Sequence, residues 1–246
     1  MAVDFIVVIP ARFGSSRLPG KPLADIAGKP MIVRVCEQAR RSRATRVIVA
    51  TDDERIVAAS AAVGAEAELT SGEHESGTDR IAELAERFAW ADDQIVVNVQ
   101  GDEPLLPPAL ISQVAELLAA RGDADLATLA TPIQTQEEWE DPHIAKVVVD
   151  RDGKALYFSR APIPWPRDGE FAGGQRHVGI YAYRVGALKA LAETPPCALE
   201  RQERLEQLRA LWLGLTIVVA EAREKPPRGI DTEEDLDAIR REMESC

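Results

Sequence analysis

Short apolar, β-branched runs alternate along the chain with segments whose apolar residues recur every three to four positions. The first pattern has the period of a strand, the second that of a helix. Residues 5–9 (FIVVI) predict a first strand. Residues 31–42 predict a helix entered through Pro30, because the fixed φ of proline suits a first turn. Residues 46–50 predict a second strand ended by Thr51-Asp52, and 53–63 a helix stopped by Gly64. Another helix is predicted over 78–88, and a strand over 94–100 that reads as apolar except at its ends. A helix follows over 107–120, its start marked by Pro107-Pro108.

Apolar strands separated by helices predict an α/β fold, a mostly parallel, doubly wound, Rossmann-like sheet covered on both faces. Ligands of such sheets sit beyond the carboxyl ends of the strands. That rule nominates the loop after Ile9, the pair Thr51-Asp52, and Gln100-Gly101-Asp102. The second half has a different texture. Residues 146–150, 155–158 and 176–184 read as strands joined by turns such as Asp152-Gly153, and the proline-rich 161–167 reads as a rigid loop. Residues 203–212 predict a helix, 216–220 a strand, and 232–244 a closing helix capped by Thr232 or Asp231 with Glu233 or Glu234 nearby. The expectation is a single domain over 1–246 with a β-rich insertion.

Composition narrows the function classes. With 246 residues, 46% of them hydrophobic, the chain can bury a sizeable core. Met1-Ala2-Val3-Asp4 lacks the basic start of a signal peptide, and no apolar run reaches the roughly 18 residues of a membrane span. The chain therefore reads as soluble and cytoplasmic. A net charge of -12 argues against a nucleic-acid partner, since phosphate backbones are bound through basic surfaces. Cys36, Cys197 and Cys246 are scattered, as are His74, His143 and His177, so neither a disulfide framework nor a zinc cluster is expected.

Against that acidic background one segment is basic: ARFGSSRLPGKP, residues 11–22. Backbone amides around Gly14, Ser15 and Ser16 can cradle phosphate oxygens, and Arg12, Arg17 and Lys21 can neutralise a triphosphate. A solvated basic loop is the alternative, but the position after the first strand favours the phosphate reading. The spacing is not that of a Walker A loop, and Pro22 stands where such a loop has Ser or Thr. In VNVQGDEP, residues 97–104, a buried strand delivers Asp102 to the same sheet edge, where a carboxylate can hold Mg²⁺ against phosphate oxygens. Asp102 or Glu103 could instead cap the helix after Pro107. Asp231 has two open readings as well, a second metal ligand or a helix cap.

The segments ARFGSSRLPGKP, VNVQGDEP, HESGTDR (74–80), ALYFSRAPIPW (155–165), RHVGIYAYR (176–184), LEQLR (205–209) and GIDT (229–232) together resemble the 3-deoxy-manno-octulosonate (Kdo) cytidylyltransferases, in order and over essentially the whole chain. The resemblance implies a nucleotidyltransferase, glycosyltransferase-A-like fold, with 1–130 mainly binding CTP and 140–215 forming the sugar side and a dimer contact. It implies transfer of CMP from CTP to Kdo for lipopolysaccharide biosynthesis, with Mg²⁺ as cofactor and a homodimer as the assembly. Arg12, Lys21 and Asp102 would be catalytic. Arg12, Ser15, Arg17, Lys21, Ser76, Gly77, Arg80 and Gln100 would bind the nucleotide, Gln100 lying between nucleotide and sugar. Gln100, Arg160, His177, Tyr181, Glu206 and Gln207 would bind the sugar, and Asp102 and Asp231 the metal. Read without the family, the structural readings are favoured: Tyr181 alternates along a strand as a core residue, Glu206 lies on an exposed-looking helix, and His177 is one lone imidazole. Phe13-Gly14-Ser15 stands where many relatives carry Tyr-Ala-Ser, and the stretch between Trp165 and Arg176 is short for the family.

Rival readings have their own signatures. Sialic-acid cytidylyltransferases carry a loop like ARGGSKxIPxKN and hexose-phosphate nucleotidyltransferases GGxGTRLxPxT, and neither matches residues 11–22. Asp123-Ala124-Asp125 fits the DxD string of metal-dependent glycosyltransferases, but it sits between a helix and a strand without cationic support. A catalytically silent nucleotide-binding module is the third alternative. The preference between Kdo and its 8-amino analogue is not encoded in any motif.

Overall fold

The first strand, β1 (Phe5–Ala11), is buried on both faces, and the molecule is layered around it. Odd residues Phe5, Val7, Ile9 and Ala11 face one apolar cluster, even residues Ile6 and Val8 another. The computed structural model describes residues 3–14, 18–167, 169, 171–226, 229–230 and 232–244. Ser15, Ser16, Arg17, Asp231 and Cys246 from the sequence reading lie outside the described residues.

After β1 a 3-10 turn (Lys21–Leu23) and a small hairpin, β2 (Asp25–Ile26) and β3 (Lys29–Pro30), precede α1 (Met31–Arg41). Then come β4 (Arg46–Thr51), α2 (Glu54–Ala61), β5 (Glu66–Leu69), α3 (Gly77–Arg87), β6 (Ile95–Asn98), α4 (Pro108–Ala120) and β7 (Leu126–Ile133). The short α5 (Gln136–Glu140) leads into β8 (Lys146–Val149), β9 (Ala155–Ser159) and the long β10 (Gly174–Arg184). The chain closes with α6 (Val185–Glu193), α7 (Ala198–Glu203), α8 (Gln207–Trp212), β11 (Ile217–Glu221) and α9 (Glu233–Glu244).

Among the described residues β2 and β3 pair only with each other, and the other strands form one nine-stranded sheet in the order β11-β7-β10-β6-β1-β4-β5, with β8 pairing β10 and β9. β1 is parallel to β4 and β6, β4 to β5, and β11 to β7, while β10 runs antiparallel to both β6 and β7. The sheet is thus mostly parallel, as expected, with β10 as the reversed strand that carries the β8–β9 insertion. Helices α1 and α4 cover the face of Val7 and Ile9 with Ile32, Val35, Leu110 and Val114. Helices α3, α6 and α8 cover the face of Ile6 and Val8 with Ile81, Leu84, Leu188 and Leu208.

Several elements depart from the sequence reading. The helix expected over 203–212 is broken: α7 ends at Arg204, which adopts the left-handed conformation (φ 53°), and α8 restarts after Glu206. Ser159 and the Arg160 backbone N–H donate to the two carboxylate oxygens of Glu203 at 2.7 and 2.9 Å, which fixes the break. A non-glycine residue held at positive φ costs on the order of 1 kcal/mol, so such packing must over-determine it. β5, the β2–β3 hairpin and α6 were not foreseen, because each is too short or too evenly apolar to show a period. Thr232 caps α9 by reciprocal bonds with Asp235 (3.2 and 2.9 Å), and not with Glu233 or Glu234.

β10 also carries an irregularity that matters later. Val178 pairs with Leu129 but Tyr181 with Thr128, so three steps on β10 meet one on β7. The excess of two is even, so the alternation survives the bulge. Val178, Ile180 and Ala182 face the first cluster, and Tyr181 and Tyr183 the second.

His177 packs between the edge of Phe158 and the ring of Tyr181, each centroid 5.2 Å away, and burial pushes its imidazole down to about 3. An unfolded histidine titrates near 6.5, so below that pH the unfolded chain takes up a proton that the folded chain refuses. Stability present above pH 6.5 is therefore lost as the pH falls, by up to roughly 2 kcal/mol at pH 5. We expect His177→Gln to remove this part of the slope. Urea midpoints of both proteins between pH 7 and 4 check it, and a pH-independent difference between them would refute the burial account.

Candidate active site

The carboxyl ends of β1, β4 and β6 meet at one edge of the sheet, and two glycines let the meeting be close. A Cβ on Gly101 would stand 2.9 Å from the Pro10 carbonyl oxygen, and one on Gly77 would stand 3.0 Å from the Pro10 ring. With no side chain at either position, the turn after β6 and the first turn of α3 both press on the end of β1. The outcome is a cavity of about 270 Å³ whose walls include Arg12, Lys21, Ser76, Gly77, Arg80, Gln100 and Asp102.

The loop after β1 is shaped by its own backbone. Gly20 takes φ 70°, its N–H bonding the Phe13 carbonyl at 3.2 Å, and the Lys21 N–H bonds Leu18 at 3.1 Å. This turn sends the Lys21 side chain inward, where its Nζ donates to Asp102 Oδ2 at 2.7 Å. The lysine side chain is 11% exposed and the aspartate 36%, so the pair sits in the cavity wall with an open side. Asp102 is not a helix cap: α4 starts at Pro107 without any side-chain cap. The Ile230 N–H donates to the Asp102 backbone carbonyl at 3.0 Å, so the chain after β11 returns to the turn that carries Asp102. Beside it, burial and then the Asp102 charge push Glu103 up to about 7.

The residues expected on the nucleotide side meet the geometry unevenly. Arg12 is exposed on the cavity wall with no ion-pair or hydrogen-bond partner among the described residues. Ser76 caps α3, accepting from Asp79 N–H at 3.1 Å while Asp79 accepts from Ser76 N–H at 3.1 Å. The helix therefore presents its positive end beside Gly77. Arg80 lines the cavity, yet its buried guanidinium is committed to Thr70 Oγ1 (2.7 Å), the Ser71 carbonyl (3.1 Å) and Asp52 Oδ2 (3.1 Å). Asp52 in turn accepts from Phe13 N–H at 3.0 Å, so Thr51-Asp52, nominated as a ligand loop, serves as a brace. His74, paired with Glu83 at 2.6 Å, is a wall residue that its lone position in the sequence did not reveal.

Gly77 and Gln100 also line a second cavity of about 330 Å³. His177, Tyr181, Glu206 and Gln207 converge there, four of the expected sugar-side residues, with Gln100 between the two spaces. The alternation of β10 accounts for it, since His177, Gly179, Tyr181 and Tyr183 all lie on one face. Thr128 Oγ1 lies 3.1 Å from His177 Nε2 and holds the ring in place. Asn98 Oδ1 and Gln207 Nε2 are buried in this wall without a hydrogen-bond partner among the described residues, and the Tyr181 phenol lies on the same wall. Such groups suit a polar ligand or water. Asn98 was missed because the strand was read as apolar inside, although a single amide in VVNV is itself the signal.

Arg160 is not brought to this cavity. Its Nε donates to the Glu203 carbonyl at 2.7 Å and its Nη1 to Pro142 at 3.1 Å, with the Arg204 carbonyl 3.5 Å from Nη2. The cation in the wall is Arg204, the residue at positive φ. Asp123 and Asp125 lie at the amino end of β7, away from both cavities: Asp123 pairs with Arg121 and Lys154, and Asp125 accepts from Thr216 N–H at 2.8 Å. Their DxD string is structural. Burial pushes the Cys36 thiol up to about 12, which removes it as a nucleophile.

A hard cation fits the first cavity. Asp102 supplies carboxylate oxygen, and Mg²⁺ commonly takes one or two carboxylates together with substrate phosphates and water. Among the described residues no group of three metal-ligating side chains forms a complete cage, so the substrate would have to contribute.

Residues 6–217 match the family model described as cytidylyltransferase. The chain is 56% identical over 254 residues to the 3-deoxy-manno-octulosonate cytidylyltransferase of Pseudomonas fluorescens, covering 100% of both. It is 55% identical over 246 residues to that of Yersinia enterocolitica, covering 97% and 98%. A solved CMP:2-keto-3-deoxy-manno-octonic acid synthetase complexed with CTP superposes with a TM-score of 0.92 at 43% identity, covering 98% of this chain and 99% of that one. A cytidylyltransferase of Leptospira borgpetersenii, at 17% identity and a TM-score of 0.62, shares the fold. Sequence, fold and the joined cavities agree: the chain belongs to the 3-deoxy-manno-octulosonate cytidylyltransferase family.

Proposed function

We propose that the protein transfers CMP from CTP to the anomeric hydroxyl of Kdo, releasing pyrophosphate and supplying lipopolysaccharide assembly. The observation that carries this reading is the pair Lys21–Asp102 at 2.7 Å in a cavity that opens, past Gly77 and Gln100, into a second one lined by unpartnered polar atoms. A triphosphate fits the first space and a polyhydroxylated acid the second. Their shared wall would hold the α-phosphorus and the attacking hydroxyl together.

The reaction is an in-line displacement in which an oxygen–phosphorus bond forms from the sugar C2 hydroxyl, which loses its proton, as the bond to pyrophosphate breaks. Such chemistry asks the protein for position and charge neutralisation more than for covalent help. Mg²⁺ held by Asp102, with Asp231 as the further candidate ligand, would supply a Lewis acid for the phosphate oxygens and the sugar hydroxyl. Arg12, Arg17 and Lys21 would neutralise the leaving pyrophosphate, with the amino end of α3 and Ser15, Ser76 and Gly77 on the nucleotide. His177, neutral at pH 7 because burial pushes it down to about 3, serves as a hydrogen-bonding group for hydroxyls and not as a cation. Arg160 joins the sugar only by releasing carbonyls, the 3.5 Å contact to Arg204 being the weakest. A carboxylate is the stronger acceptor and can drive that exchange.

A homodimer belongs to this reading. Leu156 on β9 and Trp212 and Leu213 at the end of α8 are exposed, and β9 and α8 pack on each other, so their apolar side chains offer a surface for a second copy.

Purified protein given CTP, Mg²⁺ and either Kdo, its 8-amino analogue or sialic acid should release pyrophosphate with Kdo. No release with any eight-carbon acid would overturn the assignment. Lys21→Ala should lower kcat/KM for CTP by about two orders of magnitude, the scale of removing one charged stabiliser. A value near wild type sinks the triphosphate clamp. Asp102→Asn should lose a similar factor and shift the Mg²⁺ titration to higher concentration, and an unchanged titration would free Asp102 of its metal role.

A further inference from the structure

Glu206 reaches the second cavity from the break between α7 and α8, and both of its oxygens are engaged from the protein side. The Thr78 hydroxyl donates to Oε1. Arg209 Nη2 lies 3.5 Å from Oε2, and that guanidinium is itself fixed by the carbonyls of Leu191 (2.9 Å) and Thr194 (2.6 Å). Thr78 is buried, lies in the first turn of α3, and follows Gly77, whose Cα presses on Pro10. The same turn therefore faces the first cavity through Ser76 and Gly77, and grips the second through one hydroxyl.

We propose that Thr78 is the positioning residue for Glu206, tying the carboxylate of the sugar cavity to the capped end of the nucleotide-side helix. The proposal rests on the reading that the second cavity receives the sugar. The physics is specific to the hydroxyl. Glu206 is only partly buried, its side chain 33% exposed, and without a donor on Oε1 only the 3.5 Å approach of Arg209 holds the carboxylate against turning toward solvent. A hydrogen bond to a charged group is also among the stronger ones available inside a protein. Threonine's methyl contributes packing, its hydroxyl the aim. Because Ser76 and Asp79 close the helix cap on their own, the nucleotide side does not depend on Thr78 for its shape.

Replacement by valine keeps the volume and removes the hydroxyl, and replacement by serine keeps the hydroxyl. Initial rates of pyrophosphate release, with CTP and Kdo each varied at saturation of the other, should show Thr78→Val raising KM for Kdo about tenfold. KM for CTP should stay within about twofold, and Thr78→Ser should restore the sugar KM. The double variant Thr78→Val/Glu206→Ala should behave as Glu206→Ala alone, since alanine leaves the Thr78 hydroxyl nothing to position, whereas glutamine would still accept from it. Thermal melts of each protein separate misfolding from misplacement, and Thr78→Ala serves if the valine variant does not fold. If Glu206→Ala raises the sugar KM while Thr78→Val does not, or if the two effects add, the positioning role is overturned and the sugar site stands. If Glu206→Ala leaves the sugar KM unchanged, the sugar-site reading falls and the proposal with it.

Discussion

Everything at the catalytic edge depends on how closely two backbones approach the end of the first strand. Pro10 is flanked by Gly77 on one side and Gly101 on the other, with room for no Cβ at the first without a shift and none at all at the second. From the first contact follow the cap of α3 and its amides, and from the second the place of Asp102. Lys21 then arrives from the loop that β1 itself launches. A larger residue at 101 would push the carboxylate away from the lysine by prising β6 from β1. Interiors are packed too densely to absorb such a wedge locally.

Much of this was legible because the physics is local. FIVVI, RVIVA and the apolar positions of 78–88 state their own period, and the switch-point rule then points to the loop after β1 and to Gln100-Gly101-Asp102. Lys21 and Asp102 could be paired from those two clues alone. Asn98 was hidden by an average: one amide in an apolar strand hardly changes its hydropathy, yet it is the residue whose oxygen is left without a partner in the second cavity. Arg160 shows the opposite limit, since the structure leaves it outside the lining of the second cavity. A guanidinium suits a carboxylate in principle, but here it is spent on the carbonyls of Pro142 and Glu203, and only tertiary structure reveals that competition. The break at Arg204 escaped notice because LEQLR and the residues before it keep a helical period, which a positive φ interrupts without any sequence signal.

The insertion beside the second cavity is held by cations used as rivets. Lys146 is buried and donates to the carbonyls of Asp141 (2.6 Å) and Arg160 (2.9 Å), while Arg160 clasps the carbonyls of Pro142 and Glu203. Segments 141–142, 159–160 and 203–204, the last two at the ends of β9 and α7, are thereby stitched together. Removal from water lowers the lysine's proton affinity, and the two carbonyl dipoles answer that cost. The insertion thus gains rigidity where α7 and α8 hand over to each other, which is where Glu206 and Gln207 leave for the cavity.

The polar wall formed by Asn98, Tyr181 and Gln207 has an implication for evolvability. Hydrocarbon of similar shape at these positions would ask for no hydrogen bonds and would cost the fold little. Heat resistance gained there would come at the expense of ligand contacts, which makes this wall the part of the fold where robustness and turnover are set against each other.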